Sequence, residues 1–222
     1  MTMRLVIAGG GTGGHFFPGL AVAQEAVARE GAAVLFIGSA DGIEARAAPR
    51  NGFDFVAVRM HAFRGGGLAG VLRSLLHLPL AVATSFRALA RFRPDVVVGL
   101  GSYGSVPVAL AAWCRRTPVV LMEQNVVPGF ANRLLGRFAR RICTSFVESA
   151  GFFPTGRSVQ TGNPVRALQA AGAPDPAHFT VFAFGGSQGA RSINRAMVAA
   201  APGLLRQVPH LRILHQTGTA DA

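Results

Sequence analysis

The sequence predicts an α/β fold built on a doubly wound parallel sheet. Short runs of consecutive apolar residues alternate along the chain with longer helical patterns, and glycine-rich turns follow three of those runs. Strands that are apolar on both faces are typical of parallel sheets with helices packed on both sides. The pattern starts again near residue 160, which predicts a second unit of the same kind.

The first unit is predicted to contain five strands and five helices. The strands are the apolar runs at residues 5–8, 33–37, 53–58, 95–99 and 119–122. The helices are the stretches at residues 18–29, 42–50, 71–91, 106–113 and 132–138. The first helix is expected to start near Pro18, and Pro79 leaves open whether the third helix is continuous or broken.

The second unit is predicted to be short. A short strand and turn at residues 159–166 and a linker rich in Ala, Gly and Pro at 168–176 precede its strand at 179–184, its helix at 192–205 and its strand at 211–214. We place the domain boundary between residues 162 and 163. One βαβ unit does not complete a parallel sheet, so we expect a fragment of a longer protein or a reading frame that ended early.

The amino-acid composition excludes two classes of enzyme and indicates the charge of a partner. Half of the 222 residues are hydrophobic and 14% are charged, which is typical of a globular protein. The net charge is +12, and all 22 basic residues are arginine. The absence of lysine excludes a P-loop nucleotidase and a pyridoxal-phosphate enzyme. The positive charge predicts an acidic partner: nucleic acid, an anionic membrane or a phosphorylated substrate.

The chain carries no recognisable signal sequence and no run of about 18 apolar residues, so we expect a cytoplasmic protein. Cys114 and Cys143 are 29 positions apart and form no paired motif. We expect them to be buried free thiols rather than a disulfide or part of a zinc site.

Residues 9–15 read Gly-Gly-Gly-Thr-Gly-Gly-His and directly follow the first predicted strand. A glycine turn between a strand and a helix brings backbone amides and the helix N-terminus to one point, which favours phosphate or diphosphate. The spacing also fits G-x-G-x-x-G, but the second strand ends in Gly38 and Ser39 rather than in an acidic residue. That ending disfavours a dinucleotide enzyme. Tight strand–helix packing is the alternative role of these glycines.

His15 ends this motif and is a candidate base. A neutral imidazole at this place accepts a proton from a hydroxyl nucleophile, and the helix N-terminus lowers the pKa of the ring and keeps it neutral. Packing against a neighbouring strand, or capping of the helix, is the alternative.

Further candidate residues follow later strands. Glu123, Gln124 and Asn125 end one strand, where they bind sugar hydroxyls or cap a turn. Arg166 is a candidate for a bidentate phosphate contact, with a solvated linker arginine as the alternative. Ser187 presents its hydroxyl and amide to a phosphate, or is a simple helix cap.

Two more glycine turns, at residues 99–104 and 185–190, accompany the first. Loops at the carboxyl ends of strands face the ligand crevice of a doubly wound sheet, so two such units suit two phosphorylated substrates. No D-x-D motif occurs, which makes transfer through a metal-binding aspartate pair unlikely. We therefore predict no cofactor and no metal.

The middle of the chain is basic and apolar. Eleven arginines lie between positions 64 and 141, opposed by only two acidic residues. An apolar patch rimmed by arginines suits an anionic membrane surface, whereas the alternative is a core helix with a solvated basic face. The single Tyr and single Trp disfavour nucleic acid as a partner. The predicted membrane patch consists of Arg64, Arg73, Leu75, Leu76, Leu80, Phe86, Arg87, Trp113 and Arg140.

Four motifs in order and in register resemble the MurG family of N-acetylglucosaminyl transferases. They are the stretch at 9–19, the stretch at 123–132, Gly162-Asn163-Pro164-Val165-Arg166, and the turn at 185–190 with Asn194. Together they extend the resemblance over essentially the whole chain.

The resemblance implies a GT-B architecture, in which two Rossmann-like domains flank a cleft. It implies a metal-independent, inverting transfer of GlcNAc from UDP-GlcNAc to the C4 hydroxyl of the muramoyl sugar of lipid I. The product would be lipid II for peptidoglycan synthesis, which is tied to cell shape and cell division. The acceptor is an undecaprenyl-diphosphate lipid, so the resemblance also implies peripheral attachment to the cytoplasmic face of the bacterial inner membrane.

The resemblance also implies roles for single residues. Substrate contacts, chiefly with UDP-GlcNAc, fall to Thr12, Gly13, Gly14, Asn125, Arg166 and Ser187. The first loop would also lie near the acceptor diphosphate, with His15 as the base. Additional candidates are Tyr103, Glu123, Gln124 and Asn194. Ser102 and Gly104 depart from the Gly and Val that the family usually has at these places.

Two other interpretations remain open: a GT-B transferase with a different lipid or small-molecule acceptor, and a non-catalytic membrane-binding module. The family's second domain continues well beyond this chain and carries the uracil and ribose contacts. We therefore expect these 222 residues alone to transfer no GlcNAc.

Overall fold

The computed structural model describes residues 2–59, 67–165, 175–186 and 189–218, without the side chains of residues 67–75. The chain folds into two compact units, residues 1–167 and residues 168–222. The boundary expected between residues 162 and 163 stays a prediction, because residues 166–174 lie outside the described part.

The first unit contains a sheet of seven strands. They are β1 (Arg4–Ala8), β2 (Ala33–Ser39), β3 (Asp54–Val58), β4 (Val96–Gly99), β5 (Val119–Glu123), β6 (Arg141–Thr144) and β7 (Ser158–Gln160). All neighbouring pairs are parallel, in the order β3-β2-β1-β4-β5-β6-β7. The order reverses between β1 and β4, so a crevice opens at the carboxyl ends of these two strands. The predicted doubly wound parallel sheet is confirmed.

Helices cover both faces of this sheet. They are α1 (Gly13–Glu30), α2 (Glu44–Arg50), α3 (Gly67–Phe92), α4 (Ser105–Cys114) and α5 (Phe130–Leu135), followed by a 3₁₀ turn at Val147–Phe152. Adjacent residues of β1 point to opposite faces. Val6 packs in the cluster that contains Leu89 of α3, and Ile7 packs in the cluster that contains Phe16 and Leu20 of α1. The continuous apolar run of β1 is therefore buried on both sides.

The first predicted helix starts earlier than Pro18. The helix α1 begins at Gly13, inside the glycine motif, and Pro18 is buried within it. The first four amides of a helix have no partner inside the helix, so a proline just after them removes only one hydrogen bond. The expected start at Pro18 was wrong because proline is tolerated near a helix N-terminus as well as at its first position.

The structure also shows the course of the third helix at Pro79 and contains two elements that were not expected. The helix α3 runs through Pro79 without a break, on an exposed position. The strand β6 and the 3₁₀ turn were not predicted from the sequence. β6 has only four residues and opens with the charged Arg141, so its apolar signal is short.

The cysteines differ in their surroundings. Both are free thiols, as expected, but Cys114 is exposed, and Cys143 is half-buried. Cys114 is the last residue of α4, where the helix end leaves the core. Burial raises the pKa of the Cys143 thiol, and a hydrogen bond to Thr161 opposes that shift.

The second unit has the predicted βαβ arrangement. β8 (Phe179–Phe184) and β9 (Leu211–Gln216) are parallel neighbours, and α6 (Arg191–Gln207) connects them. Among the described residues, no helix combines the length and the apolar character needed to cross a bilayer.

Candidate functional site

The loop that follows β1 is hydrogen-bonded to the end of β2 and to the loop after β4, where the carboxyl ends of these strands meet. We call this loop, residues 9–14, the glycine loop. The Gly9 amide donates to the Ile37 carbonyl over 2.8 Å, and the Gly10 amide donates to Ser102 Oγ over 2.9 Å. Because these acceptors belong to β2 and to the loop after β4, the glycine loop is fixed from both sides.

Glu44, the first residue of α2, lies beneath the glycine loop and is 1% exposed. Its Oε2 accepts the Gly11 amide over 2.6 Å, and its Oε1 accepts the Ser39 amide over 2.9 Å. One carboxylate thus joins the loop after β1 to the loop after β2. Gly10 has φ +151°, and a Cβ there would lie 2.5 Å from Glu44 Oε2, so this position requires glycine.

The amides of Thr12, Gly13 and Gly14 differ from those before them. In the part of the chain that the structure describes, these three groups donate no hydrogen bond. They belong to the N-cap and the first two residues of α1, an 18-residue helix whose first turn has no acidic side chain. The helix dipole adds partial positive charge at the same point. The amides available to an anion are thus those of residues 12–14, while those of residues 9–11 stabilise the fold.

His15 lies in the first turn of α1, next to these amides. Its Nδ1 is 3.1 Å from Thr12 Oγ1, so the Thr12 hydroxyl fixes one edge of the ring. Burial lowers the pKa of His15 below its ordinary value of 6.5, and the carboxylates of Glu123 and Glu44 oppose that shift. Burial, rather than the helix N-terminus expected from the sequence, is the main cause. The imidazole is therefore neutral at pH 7, as a base must be.

Glu123, at the end of β5, organises the next loop and is 2% exposed. Its Oε1 accepts the backbone amide and the side-chain Nδ2 of Asn125, over 2.8 and 3.0 Å. Its Oε2 accepts Nδ2 of the buried Asn132 over 2.9 Å. The carboxylate therefore orients Asn125, which is exposed at the carboxyl end of the sheet.

The structure places the other candidates as follows. Tyr103 is half-buried in the loop after β4. Gln124 lines a cavity of about 240 Å³ and has no partner for its buried side-chain amide within the described residues. Asn194 belongs to the second unit, where its Nδ2 donates to the Thr217 carbonyl over 2.9 Å and ties α6 to the end of β9. Arg166 and Ser187 lie outside the described residues.

The exposed apolar residues of the predicted membrane patch lie on α3 and α4. Leu76 and Leu80 on α3 are 71% and 59% exposed, and Trp113 on α4 is 54% exposed. The guanidinium of Arg115 lies 5.0 Å from the centre of the Phe86 ring, so an arginine covers part of the apolar surface. Arg87 and Arg140 are exposed, Arg64 lies outside the described residues, and Arg73 and Leu75 belong to α3 without described side chains.

Metal ligands do not cluster in the described ranges, where no group of three or more His, Cys, Asp or Glu side chains could hold an ion. Reaction without a metal stays a prediction.

Comparison with known protein families identifies the family to which the first unit is similar. Residues 5–144 match the profile of the glycosyltransferase family 28 N-terminal domain. The chain belongs to glycosyltransferase family 28. The seven-stranded unit is therefore a Rossmann-like N-terminal domain of GT-B type, as its sheet order indicates.

Relatives within family 28 are similar over nearly the whole chain. A protein of Anaeromyxobacter sp. (strain K), named UDP-N-acetylglucosamine--N-acetylmuramyl-(pentapeptide) pyrophosphoryl-undecaprenol N-acetylglucosamine transferase, is 45% identical over 99% of the chain. A protein of the same name from Pelobacter propionicus is 46% identical over 99% of the chain. The chain spans 58% and 65% of the lengths of these two relatives.

A solved structure agrees. The crystal structure of MurG from Acinetobacter baumannii matches 98% of the chain with a TM-score of 0.71 and 28% sequence identity, and the chain covers 59% of that protein. The expected resemblance to the MurG family is confirmed.

Sequence reasoning missed Glu44 and the role of Ser102 in this family 28 domain. Glu44 follows the strand next to β1, so its loop reaches the same edge of the sheet as the glycine loop. The flanking Gly38 and Gly42 were the available signal, because a Cβ at either position would collide with the Glu44 carboxyl group. These glycines alone do not predict that the carboxylate is buried, because the burial depends on the pairing of β1 with β2.

Proposed function

We propose that this chain is the acceptor-side part of an inverting glycosyltransferase. The enzyme would move GlcNAc from UDP-GlcNAc to the C4 hydroxyl of the muramoyl sugar of lipid I. The names of the family 28 relatives support this pair of substrates. The observation that carries the proposal is the set of three amides at residues 12–14, beside His15, that have no acceptor in the described chain.

The glycine loop is proposed to bind a substrate diphosphate. Three amides and the dipole of α1 favour negative charge at one point, with no metal ion required. Asn125, which Glu123 orients, is proposed to contact the sugar. Arg166 and Ser187 are proposed to add phosphate contacts, on the strength of their positions in the family motifs.

His15 is the proposed base. With Nδ1 protonated and donating to Thr12 Oγ1, the lone pair of Nε2 accepts the proton of the C4 hydroxyl. The hydroxyl oxygen forms its bond to the anomeric carbon of GlcNAc as the bond to UDP breaks. UDP leaves with the electron pair, the proton ends on His15, and the anomeric configuration is inverted.

Ligand binding by the chain as it stands tests this proposal. Backbone amide NMR would follow a titration with a soluble, short-chain lipid I analogue and, separately, with UDP-GlcNAc. We expect the analogue to shift the Gly13 and Gly14 amides, and to leave the Gly9 amide nearly unchanged because the Ile37 carbonyl already binds it. No shift with either ligand would contradict the proposal, and a shift with UDP-GlcNAc alone would contradict the acceptor assignment.

The same titration separates the other interpretations. A GT-B transferase with a different acceptor would bind diacylglycerol or another small acceptor and ignore the lipid I analogue. A non-catalytic module would bind vesicles and neither substrate. Absence of transfer by these 222 residues alone stays part of the proposal and is checked by a GlcNAc transfer assay.

We also propose peripheral attachment to the cytoplasmic face of the inner membrane, with a role in cell-wall synthesis and so in cell shape and division. The exposed Leu76, Leu80 and Trp113, together with the net charge of +12, support attachment to an anionic surface. We expect the chain to float with phosphatidylglycerol vesicles at low salt, and less with phosphatidylcholine vesicles or at high salt. Equal flotation with both lipids would contradict this attachment.

A further inference from the structure

Two side chains fix the glycine loop from inside the protein, and the proposed reaction uses neither. Glu44 Oε2 accepts the Gly11 amide over 2.6 Å, and Ser102 Oγ accepts the Gly10 amide over 2.9 Å. Glu44 is 1% exposed and reaches the loop from α2, whereas Ser102 reaches it from the loop after β4. The two acceptors therefore approach neighbouring amides from two different elements.

We propose that Glu44 and Ser102 are positioning residues of the diphosphate site. By accepting the amides of Gly10 and Gly11, they fix the chain so that the next three amides, at residues 12–14, remain available to the ligand. The proposal rests on the proposed function for the identity of that ligand.

The need for such anchors follows from the residues of the loop. Gly9, Gly10 and Gly11 have φ values of +95°, +151° and +80°, and glycine gives up more conformational freedom on ordering than any other residue. Three consecutive glycines have no side chains with which to order themselves. Hydrogen bonds from Glu44 and Ser102 supply that order before a ligand binds, which reduces the cost of binding.

Glu44 also bears on the proton at His15. The charged groups that face the ring are Glu123, from the end of β5, and Glu44, from α2, while the Thr12 hydroxyl contacts Nδ1. Both carboxylates stabilise the imidazolium that forms when His15 accepts a proton. Ser102 is uncharged, so it shares the positioning role of Glu44 but not this electrostatic one.

A positioning role of Glu44 and a purely electrostatic role predict opposite changes in diphosphate affinity when the residue is replaced. A buried anion beneath an anion site repels the ligand, so removal of its charge alone would tighten binding. Loss of an anchor instead leaves the Gly11 amide without its acceptor and loosens the loop, so binding would weaken. The direction of the change therefore distinguishes the two roles.

The test compares Glu44→Gln and Ser102→Ala with the unmodified chain, using inorganic pyrophosphate as the probe and amide NMR as the readout. We expect Ser102→Ala to bind roughly tenfold more weakly, which corresponds to one lost hydrogen-bond anchor. We expect Glu44→Gln to bind more weakly as well, because Gln offers one acceptor oxygen to the two amides of Gly11 and Ser39 and turns an NH2 group toward the other. The matched control is Glu30→Gln, which removes an exposed carboxylate at the far end of α1 and should leave binding unchanged. Ser102→Ala removes only a hydroxyl, so it decides the outcome if Glu44→Gln does not fold.

A second readout is the NMR titration of the His15 ring, which a purely structural role would not move selectively. We expect Glu44→Gln to lower the pKa of His15, and Ser102→Ala and Glu30→Gln to leave it unchanged. Unaltered or tighter pyrophosphate binding in both site variants would overturn the positioning role and leave the proposed function intact. No binding of pyrophosphate by the unmodified chain would overturn the anion site, and the proposed function with it.

Discussion

Burial keeps the His15 ring neutral, as its proposed role as a base requires, but it also lowers the stability of the folded chain at acidic pH. Burial lowers the pKa of His15, and the charges of Glu123 and Glu44 oppose that shift without cancelling it. The unfolded chain therefore binds a proton at His15 more readily than the folded chain does. Stability from the neutral ring is present above the ordinary value of 6.5 and is lost as the pH falls below it.

We therefore expect the free energy of unfolding to fall more steeply with acid in the unmodified chain than in His15→Gln. Urea unfolding at several values between about pH 7.5 and about pH 5.5 measures the difference. His15→Asn serves as a second neutral replacement and should give the same flattening. Parallel pH curves for all three proteins would show that the ring is not destabilised by protonation.

The hydrogen bonds of the buried Asn132 allow a quantitative prediction of its contribution to stability. It is 1% exposed, and its Nδ2 donates to the Met122 carbonyl and to Glu123 Oε2, each over 2.9 Å. We expect Asn132→Ala to lower the free energy of unfolding by about 2 kcal/mol, because two buried acceptors lose their donor. Asn51→Ala is the control, since the exposed Asn51 side chain bonds, among the described residues, to the Ala47 carbonyl alone, and it should cost less than about 1 kcal/mol. Equal losses in urea unfolding would contradict this reading.

At the scale of elements, the early start of α1 decides where the site lies. A helix that began at Pro18 would leave the amides of residues 12–14 in a loop, without a helix dipole behind them. Because α1 begins at Gly13, the N-cap and first turn carry both the available amides and His15. The same helix then continues into the core through Leu20, so the site is fixed to the packed sheet.

The exposed leucines of α3 allow a test of the proposed membrane attachment. Leu76 and Leu80 are one turn apart and largely exposed, so replacing both with Ser removes apolar surface without opening the core. We expect the double variant to float less with phosphatidylglycerol vesicles while its urea unfolding stays unchanged. Val198→Ser is the matched control, because Val198 is 73% exposed on α6 of the second unit. Equal loss of flotation in the control would show that general surface hydrophobicity, rather than α3, drives binding.

At the scale of the whole molecule, the sequence predicted the parallel sheet and most of its strands, because buried parallel strands are continuous apolar runs. It missed β6, whose four residues begin with Arg141 and include only two buried positions. The sequence located the glycine loop by its run of glycines and His15 by its place at the end of that run. It could not locate Glu44, because the burial of one carboxylate arises from the pairing of β1 with β2 rather than from any local pattern.

The two units are expected to differ in stability. Val6 and Ile7 in β1 are fully buried, whereas Phe179, Phe182 and Phe184 in β8 are 66%, 59% and 58% exposed. A two-stranded sheet with exposed faces is marginal on its own. We expect amide hydrogens of β8 and β9 to exchange much faster than those of β1, β4 and β5 in a hydrogen-exchange measurement. Similar protection of the two sheets would contradict this difference.

The crowding around the Glu44 carboxyl group limits how this protein can change over time. A Cβ on Gly10, Gly38 or Gly42 would collide with that group, so a glycine of the glycine loop, a glycine of β2 and a glycine just before α2 share one neighbour. We expect an alanine at Gly38 or Gly42 to be destabilising while residue 44 is Glu and to become tolerable when residue 44 is smaller, whereas Gly10, with φ +151°, requires glycine in either background. For Gly38 and Gly42 the order of substitutions therefore matters, because a change at residue 44 has to come first.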